Sequence, residues 1–315
     1  MDFCHISPTK YLDIFASGRK THLVLAHLIE TDDAYAEWYK KEKRLNGCTI
    51  IMDNSAFEMY KQGRPMYDPS KLIEMANKVN ADYVVMPDYP NESPNKTITA
   101  AELIHNQLNQ AGLKTFFCPQ STIGDIDGLI DSYMWAVRTS WIHYIGFSIL
   151  AIPNAYGVEK ENKLQRFISR WKFLHELKDR GFFRYVAERR ASNHLKLHLL
   201  GMLDGPNEVL LLKEFLPHFA SWDSSAAVWY GINGITFDQS PTGMYSGKWE
   251  KEVDFSHELA RISDIGKAVR NVKYIDDMVE SIINPPKEIY NLNDYRVKND
   301  RQREIQRETN PRGSI

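Results

Sequence analysis

The sequence predicts a parallel (β/α)8 barrel of the TIM type. Short apolar runs alternate with longer helical patterns about seven times along the chain, which is the signature of a parallel sheet. Several runs stop on a carboxylate or amide followed by a polar loop, as parallel α/β folds do where they carry chemistry. A length of 315 residues suits one large α/β domain. An open doubly wound sheet is the alternative arrangement. No G-x-G-x-x-G follows any run, which weakens its dinucleotide-binding version.

The elements follow in order. Residues 3–7 suggest an entry strand, and His22–Leu28 is a better one. From Asp32 to Arg44, Tyr35, Trp38 and Tyr39 share one helical face. The run 48–53 is a buried strand ending on Asp53. Pro69-Ser70 opens a helix carrying Leu72, Ile73, Met75, Ala76 and Val79. Residues 82–88 form a strand ending on Asp88, and the loop after it is rich in turn residues. A helix over 97–111 stops at Gly112. The strand 114–118 then runs into Gln120. A helix over 125–138, a strand over 141–148, a cationic helical region over 159–190, a strand over 195–201 and a helix over 206–216 lead to a brief strand ending on Asp223. Either 232–240 or the first residues supply the eighth strand. His257–Arg270 reads as an amphipathic outer helix. The expected organisation is a barrel over 1–285 with a cationic helical insertion at about 155–194. A polar, disordered tail is expected over 286–315.

Bulk properties exclude several classes. With 43% hydrophobic and 25% charged residues the composition is that of a soluble globular protein, and no apolar run is long enough to span a bilayer. The N-terminus lacks the pattern of a signal peptide. Cys4, Cys48 and Cys118 are far apart and form no CxxC, so buried free thiols in a cytoplasmic protein are expected. His5, His22, His27, His143 and His198 sit in apolar runs with no H-x-x-x-H among them. They read as core histidines, and neither metal nor cofactor is expected. Net charge is −2, yet residues 160–198 are strongly basic. Arg166, Arg170, Arg189, Arg190 and Lys196 are therefore candidate nucleic-acid contacts, the ordinary alternative being a solvated helix face. Trp229, Tyr230, Tyr245 and Trp249 with Lys248 and Lys251 pack on the barrel or, less simply, line a nucleic-acid groove. Gly231 and Gly234 read as a turn.

Asp53, Asp88 and Asp223 end candidate strands, with Gln120 ending a fourth. A single such aspartate is as readily a helix cap. Three facing one barrel mouth suit cleavage of a glycosidic bond, where one carboxylate attacks or stabilises a cation and another handles the proton. A further carboxylate and an amide suit the donor and acceptor edge of guanine.

These residues carry a resemblance to the tRNA-guanine transglycosylase superfamily, (β/α)8 barrels that exchange guanine for a 7-deazaguanine. Asp53-Asn54-Ser55-Ala56-Phe57-Glu58 is similar to the family's Asp-Ser-Gly-Gly-Phe-Gln segment. Val85-Met86-Pro87-Asp88, Pro119-Gln120-Ser121, Tyr144-Ile145-Gly146-Phe147-Ser148, Leu199-Leu200-Gly201-Met202 and Trp222-Asp223 resemble its later motifs, in order, between about residues 22 and 225. The resemblance implies Asp53 as general acid/base and Asp223 as nucleophile. It implies a base pocket drawn from Asp88, Gln120, the Gly146 backbone and Met202. Ser55 lies in the first motif, and Phe57, Tyr89 and Phe147 are proposed as stacking walls. The family's zinc site and the Pro-Thr-Arg segment after its nucleophile are absent here, where Ser224-Ser225-Ala226 follow Asp223. The chain therefore looks more like the phage branch that installs 7-deazaguanine (preQ0-like) in DNA, which would place it in a host cytoplasm. Action on tRNA, a base-releasing N-glycoside hydrolase and a non-catalytic nucleic-acid-binding subunit are the alternatives.

Overall fold

The computed structural model describes residues 1–203, 205–239, 254–256 and 260–285, apart from the side chains of Asn193 and Gln239. The tail read over 286–315 lies outside these, as do Tyr245, Lys248, Trp249 and Lys251.

Eight strands form one parallel sheet in the order β1-β8-β7-β6-β5-β4-β3-β2. In chain order, β1 (Asp2–His5), α1 (Leu12–Phe15), β2 (Thr21–Leu25), α2 (Ala26–Thr31), α3 (Asp33–Asn46) and β3 (Thr49–Asp53) come first. Then follow α4 (Ala56–Lys61), α5 (Pro69–Lys78), β4 (Tyr83–Val85), α6 (Pro94–Gln110), β5 (Lys114–Phe117), α7 (Ile126–Arg138) and β6 (Tyr144–Ser148). The last set is α8 (Ala151–Ala155), α9 (Lys163–Asp179), α10 (Phe182–Asn193), β7 (Lys196–Leu200), α11 (Pro206–Leu211), β8 (Ser221–Ser224), α12 (Ala226–Ile232) and α13 (Ile262–Ile283). This is the expected TIM-type barrel.

The eighth strand is the N-terminal one: Asp2–His5 pairs in register with Ser221–Ser224. Of the 232–240 alternative, the described residues 232–239 are not a strand but the end of α12 and a 3-10 turn at Phe237–Gln239. The run read as 22–28 is strand only to Leu25, and Ala26 opens α2. The ends of the ladder, β1 and β2, are joined by side chains. Cys4 Sγ donates to the Thr21 carbonyl (3.3 Å), and Thr21 Oγ1 donates to Asp2 Oδ2 (2.7 Å).

Period-two alternation sorts each strand into an inner and an outer face. Cys4, Leu23, Leu25, Ile51, Tyr83, Val85, Phe116, Cys118 and Tyr144 fill the barrel interior. Phe3, Val24, Met52, Val84, Phe117, Phe147, Leu199 and Trp222 pack between barrel and helices. The Gly231–Gly234 pair is not a simple turn. Gly231 lies in α12, where an added Cβ would fall 2.1 Å from Ala268 Cα of α13. The glycine lets the two helices touch.

Candidate active site at the strand ends

β3 delivers Asp53. With Ile51 turned inward and Met52 outward, alternation brings Asp53 back to the inside at the strand's C-terminal end. The chain then turns sharply: Ser55 has φ 56°, a left-handed conformation that disfavours any residue with a Cβ. Asp53 Oδ2 accepts the Ser55 N–H (2.9 Å) and Asn54 Oδ1 accepts the Ala56 N–H (2.9 Å). The capping role weighed for strand-end carboxylates is thus partly real, and it occupies one oxygen of Asp53.

Asp88 lies just beyond β4 and is buried. Asn54 Nδ2 donates to its Oδ1 (2.6 Å) and Gln120 Nε2 to its Oδ2 (2.5 Å). Asn54 Nδ2 also reaches the Met86 carbonyl (2.7 Å). Burial pushes the Asp88 carboxyl up to about 6, opposed by the amides of Asn54 and Gln120.

Asp223 enters from β8, also buried. Its Oδ1 accepts from His198 Nε2 (2.9 Å) and from the Gly201 N–H (3.1 Å). Asp53 senses the other carboxyls. Burial raises its pKa well above the carboxylate range, and the charges of Glu58, Asp88 and Asp223 add to that, against the Ser55 N–H. Asp53 nevertheless keeps some of its surface open at the mouth. Glu58, on the first turn of α4, is itself raised by burial, with Asp223 contributing. Four carboxyls therefore share one electrostatic neighbourhood, in which those of Asp53, Glu58 and Asp88 are raised.

Not every anticipated residue joins them. Gln120 does, through Asp88. Ser55 does so by backbone only, since its Oγ is engaged with His27 N–H (3.2 Å) and Nδ1 (2.9 Å). Phe57 stands exposed on α4, with Lys61 Nζ 5.4 Å from its ring centre. Met202 is partly buried against the outer core. Gly146 lies within β6, where an added Cβ would meet Leu200 and Phe116 at 2.6 Å, so it sits inside the barrel between those side chains. Phe147 is not a stacking wall. Alternation turns it outward, fully buried against Tyr133, Phe173, Phe182 and Phe219.

The cationic segment is likewise corrected. Arg170 is fully buried, paired with Glu208 (2.5 Å) and donating to the carbonyls of Phe147, Leu200 and Gly201. Buried Arg166 reaches Asn154 Oδ1 and the Val158 carbonyl. Arg189 satisfies carbonyls of Ala136, Val137, Ser140 and Ile142 at the end of α7, and Arg190 the carbonyl of His218. Lys196 begins β7 and lies over the rings of Tyr83 and Tyr144. The last three stand at the N-terminal ends of strands, opposite Asp53 and Asp223. The four arginines serve carbonyls of neighbouring elements; periodicity alone does not reveal that.

Three residues of the cluster were not singled out from the sequence. Asn54 and Glu58 lie inside the first motif, and their apposition to Asp88 and Asp223 comes from the turn at Ser55. His198 read as a core histidine, and it is one. The outward-facing Leu197 and Leu199 on either side were the signal that it points into the barrel beside Asp223.

A cavity of about 390 Å³ adjoins Asp88, lined by Met59, Tyr60, Arg64, Tyr89 and Lys96 among others. Another of about 310 Å³, lined by His105, Asn109, Trp141 and His143, lies at the opposite end of the barrel, away from the carboxyls. Among the described residues no group of three or more His, Cys, Asp or Glu side chains is arranged to hold a metal ion. Among them, too, no helix is long and apolar enough to cross a membrane.

No protein-family model matches the chain, and no curated protein matches it. Among solved structures it is similar to one described as a fructose-1,6-biphosphate aldolase from Coccidioides immitis. Identity is 17% and the TM-score 0.51, over 89% of this chain and 90% of that one. A D-tagatose 3-epimerase-like protein aligns at 12% identity and TM-score 0.42, over 90% and 98% of the two chains. Active domain 2 of a chitinase from Pyrococcus furiosus aligns at 13% and 0.43, over 89% and 95%. At such identities the aldolase likeness speaks for architecture only: this chain has the fold of a (β/α)8 TIM-type barrel.

Proposed function

We propose that the chain is a base-exchange transglycosylase that replaces guanine in DNA with a 7-deazaguanine through a glycosyl-aspartate intermediate. The observation that carries this reading is the division of labour among buried carboxyls at one mouth. Burial and neighbouring charges raise the Asp53 carboxyl, Asp88 is held between two amides, and Asp223 has one oxygen tied and the other without a described partner. Environments that push neighbouring carboxyls apart assign acid and nucleophile.

In this reading Asp223 forms a bond to C1′ as the C1′–N9 bond of guanosine breaks. The electron pair leaves with the purine, which takes the Asp53 proton. The incoming base then gives its N9 proton to the Asp53 carboxylate and attacks C1′, releasing Asp223. Asp88 and Gln120 read the base edge, and the amide of Gln120 now bonded to Asp88 turns to the ligand. Ser55 supports the resemblance physically. The family has glycine there, and the left-handed φ of Ser55 is the conformation glycine tolerates best.

DNA rather than tRNA follows from the missing zinc cysteines and the altered segment after Asp223. Arg166, Arg170, Arg189 and Arg190, engaged within the protein, no longer support it. The test is Asp223→Ala with guanine-labelled DNA and a 7-deazaguanine: exchange at the wild-type rate would remove the nucleophile assignment. Incorporation into tRNA alone would overturn the choice of polymer, and release of guanine without a second base would identify a hydrolase.

A further inference from the structure

The carboxylate of Asp223 ends a hydrogen-bonded chain that runs down through the barrel interior. His198 Nε2 lies 2.9 Å from Asp223 Oδ1, and its Nδ1 lies 2.7 Å from Ser221 Oγ. Ser221 Oγ lies in turn 2.8 Å from Tyr144 OH. His198, Ser221 and Tyr144 are buried, and the Tyr144 ring is stacked on Phe116 with centroids 5.1 Å apart. Because each group bonds to the next, their hydrogens must be arranged consistently from end to end.

With a neutral imidazole two arrangements are possible. In one, Tyr144 donates to Ser221, Ser221 donates to Nδ1, and the Nε2–H donates to an ionised Asp223. In the other every donor is reversed and Asp223 must carry a proton. The Gly201 N–H, which can only donate, also points at Oδ1 at 3.1 Å. A second donor on one oxygen selects the first arrangement.

We infer that His198 is a positioning residue for Asp223: with the Gly201 N–H it pins Oδ1 and leaves Oδ2 as the oxygen that attacks, its tautomer being fixed by Ser221 and Tyr144. This deepens the proposed function and rests on Asp223 being the nucleophile. The two donors face Oδ1 on both sides of the chemical step. They hold the carboxylate before attack and lie on the ester carbonyl oxygen after it. They receive the carboxylate again when the second base displaces it. No proton need travel along the chain in either half of the exchange.

The test compares His198→Leu, His198→Gln and Ser221→Ala with the wild type in exchange of guanine-labelled DNA. Leucine keeps bulk and removes the donor, whereas glutamine can place an N–H near Nε2. His198→Leu is expected to lower kcat about 100-fold, the cost of a reactive group released from its aligned geometry. KM for the free base stays unchanged, because Asp88 and Gln120 are untouched. His198→Gln restores most of the rate. Ser221→Ala leaves the ring in place but frees its tautomer, and is expected to cost about tenfold, as loss of an outer partner to an oriented histidine does. It carries the test if the leucine variant does not fold. Wild-type kcat in His198→Leu, or wild-type kcat in Ser221→Ala, overturns the inference. A glutamine variant as impaired as the leucine one also overturns it. Asp223→Ala serves as the outer control. If that variant exchanges normally the proposed function fails, whereas if it is dead while His198→Leu is normal, only the positioning role fails.

Discussion

At the scale of single residues, the mouth is governed by how tightly each carboxyl keeps its proton. Asp88 sits near 6 and Asp53 well above the usual range, both chiefly because of burial. Base reading needs Asp88 ionised, so exchange is expected to fall as pH drops through about 6. Leaving-group assistance needs Asp53 protonated, so exchange also falls as pH rises through the Asp53 pKa. Rate–pH profiles of wild type and Asp53→Asn check this: the variant should lose the alkaline limb along with most of its activity. The same shift bears on stability. A carboxyl whose folded pKa is raised favours the folded state fully below its unfolded value, and that advantage is lost as pH rises through about 6. Melting temperatures of wild type relative to Asp88→Asn should therefore decline between pH 4 and 7. Ser55 offers a separate backbone measurement. Ser55→Ala loses both His27 bonds and keeps the left-handed φ, whereas Ser55→Gly relieves it. The glycine variant is expected to be more stable than the alanine one by about 1 kcal/mol in urea denaturation.

At the scale of elements, α9 is fastened to the strand ends of β6 and β7 by the buried pair of Arg170 and Glu208. Arg170→Met leaves Glu208 buried and unpaired, and is expected to cost about 3–5 kcal/mol in denaturant unfolding. Gly231→Ala would force α12 from α13 at Ala268 and is expected to cost about 1–3 kcal/mol by the same measurement. The alternation of apolar runs makes these elements legible in the sequence, because inner and outer faces of a parallel strand are both buried and stand out from polar loops. Asp53 and Asp223 are legible as strand-end carboxylates for that reason. The fate of Arg170 and Arg189 is not legible. A basic helix face looks the same whether its partners are phosphates or the orphan carbonyls of neighbouring elements. Phe147 is misread from proximity to Gly146, although period two turns adjacent residues to opposite faces.

At the scale of the whole molecule, net charge is −2, and Arg166, Arg170, Arg189 and Arg190 are engaged by groups of the protein itself. If DNA is the substrate, steering by those four arginines is weak. Replacing Arg189 and Arg190 by alanine is expected to lower the melting temperature while leaving the salt slope of DNA binding unchanged, as fluorescence titration at several salt concentrations would show. A slope reduced by one or two would instead mean that those arginines neutralise phosphates.

The pairing of β1 with β8 reaches beyond architecture. Asp2–His5 is made before the other seven strands of the barrel, yet its ladder partner is the last of them to be made. Until Ser221–Ser224 emerges, the apolar outer face of β1 has no neighbour on that side, and β2 offers it only the side-chain bonds of Thr21. Such a nascent chain carries an unfinished sheet edge throughout synthesis, the condition under which folding is slow and edges invite aggregation. Asp223 lies on that final strand, so the carboxylate assigned to attack takes its place only in the act that closes the barrel.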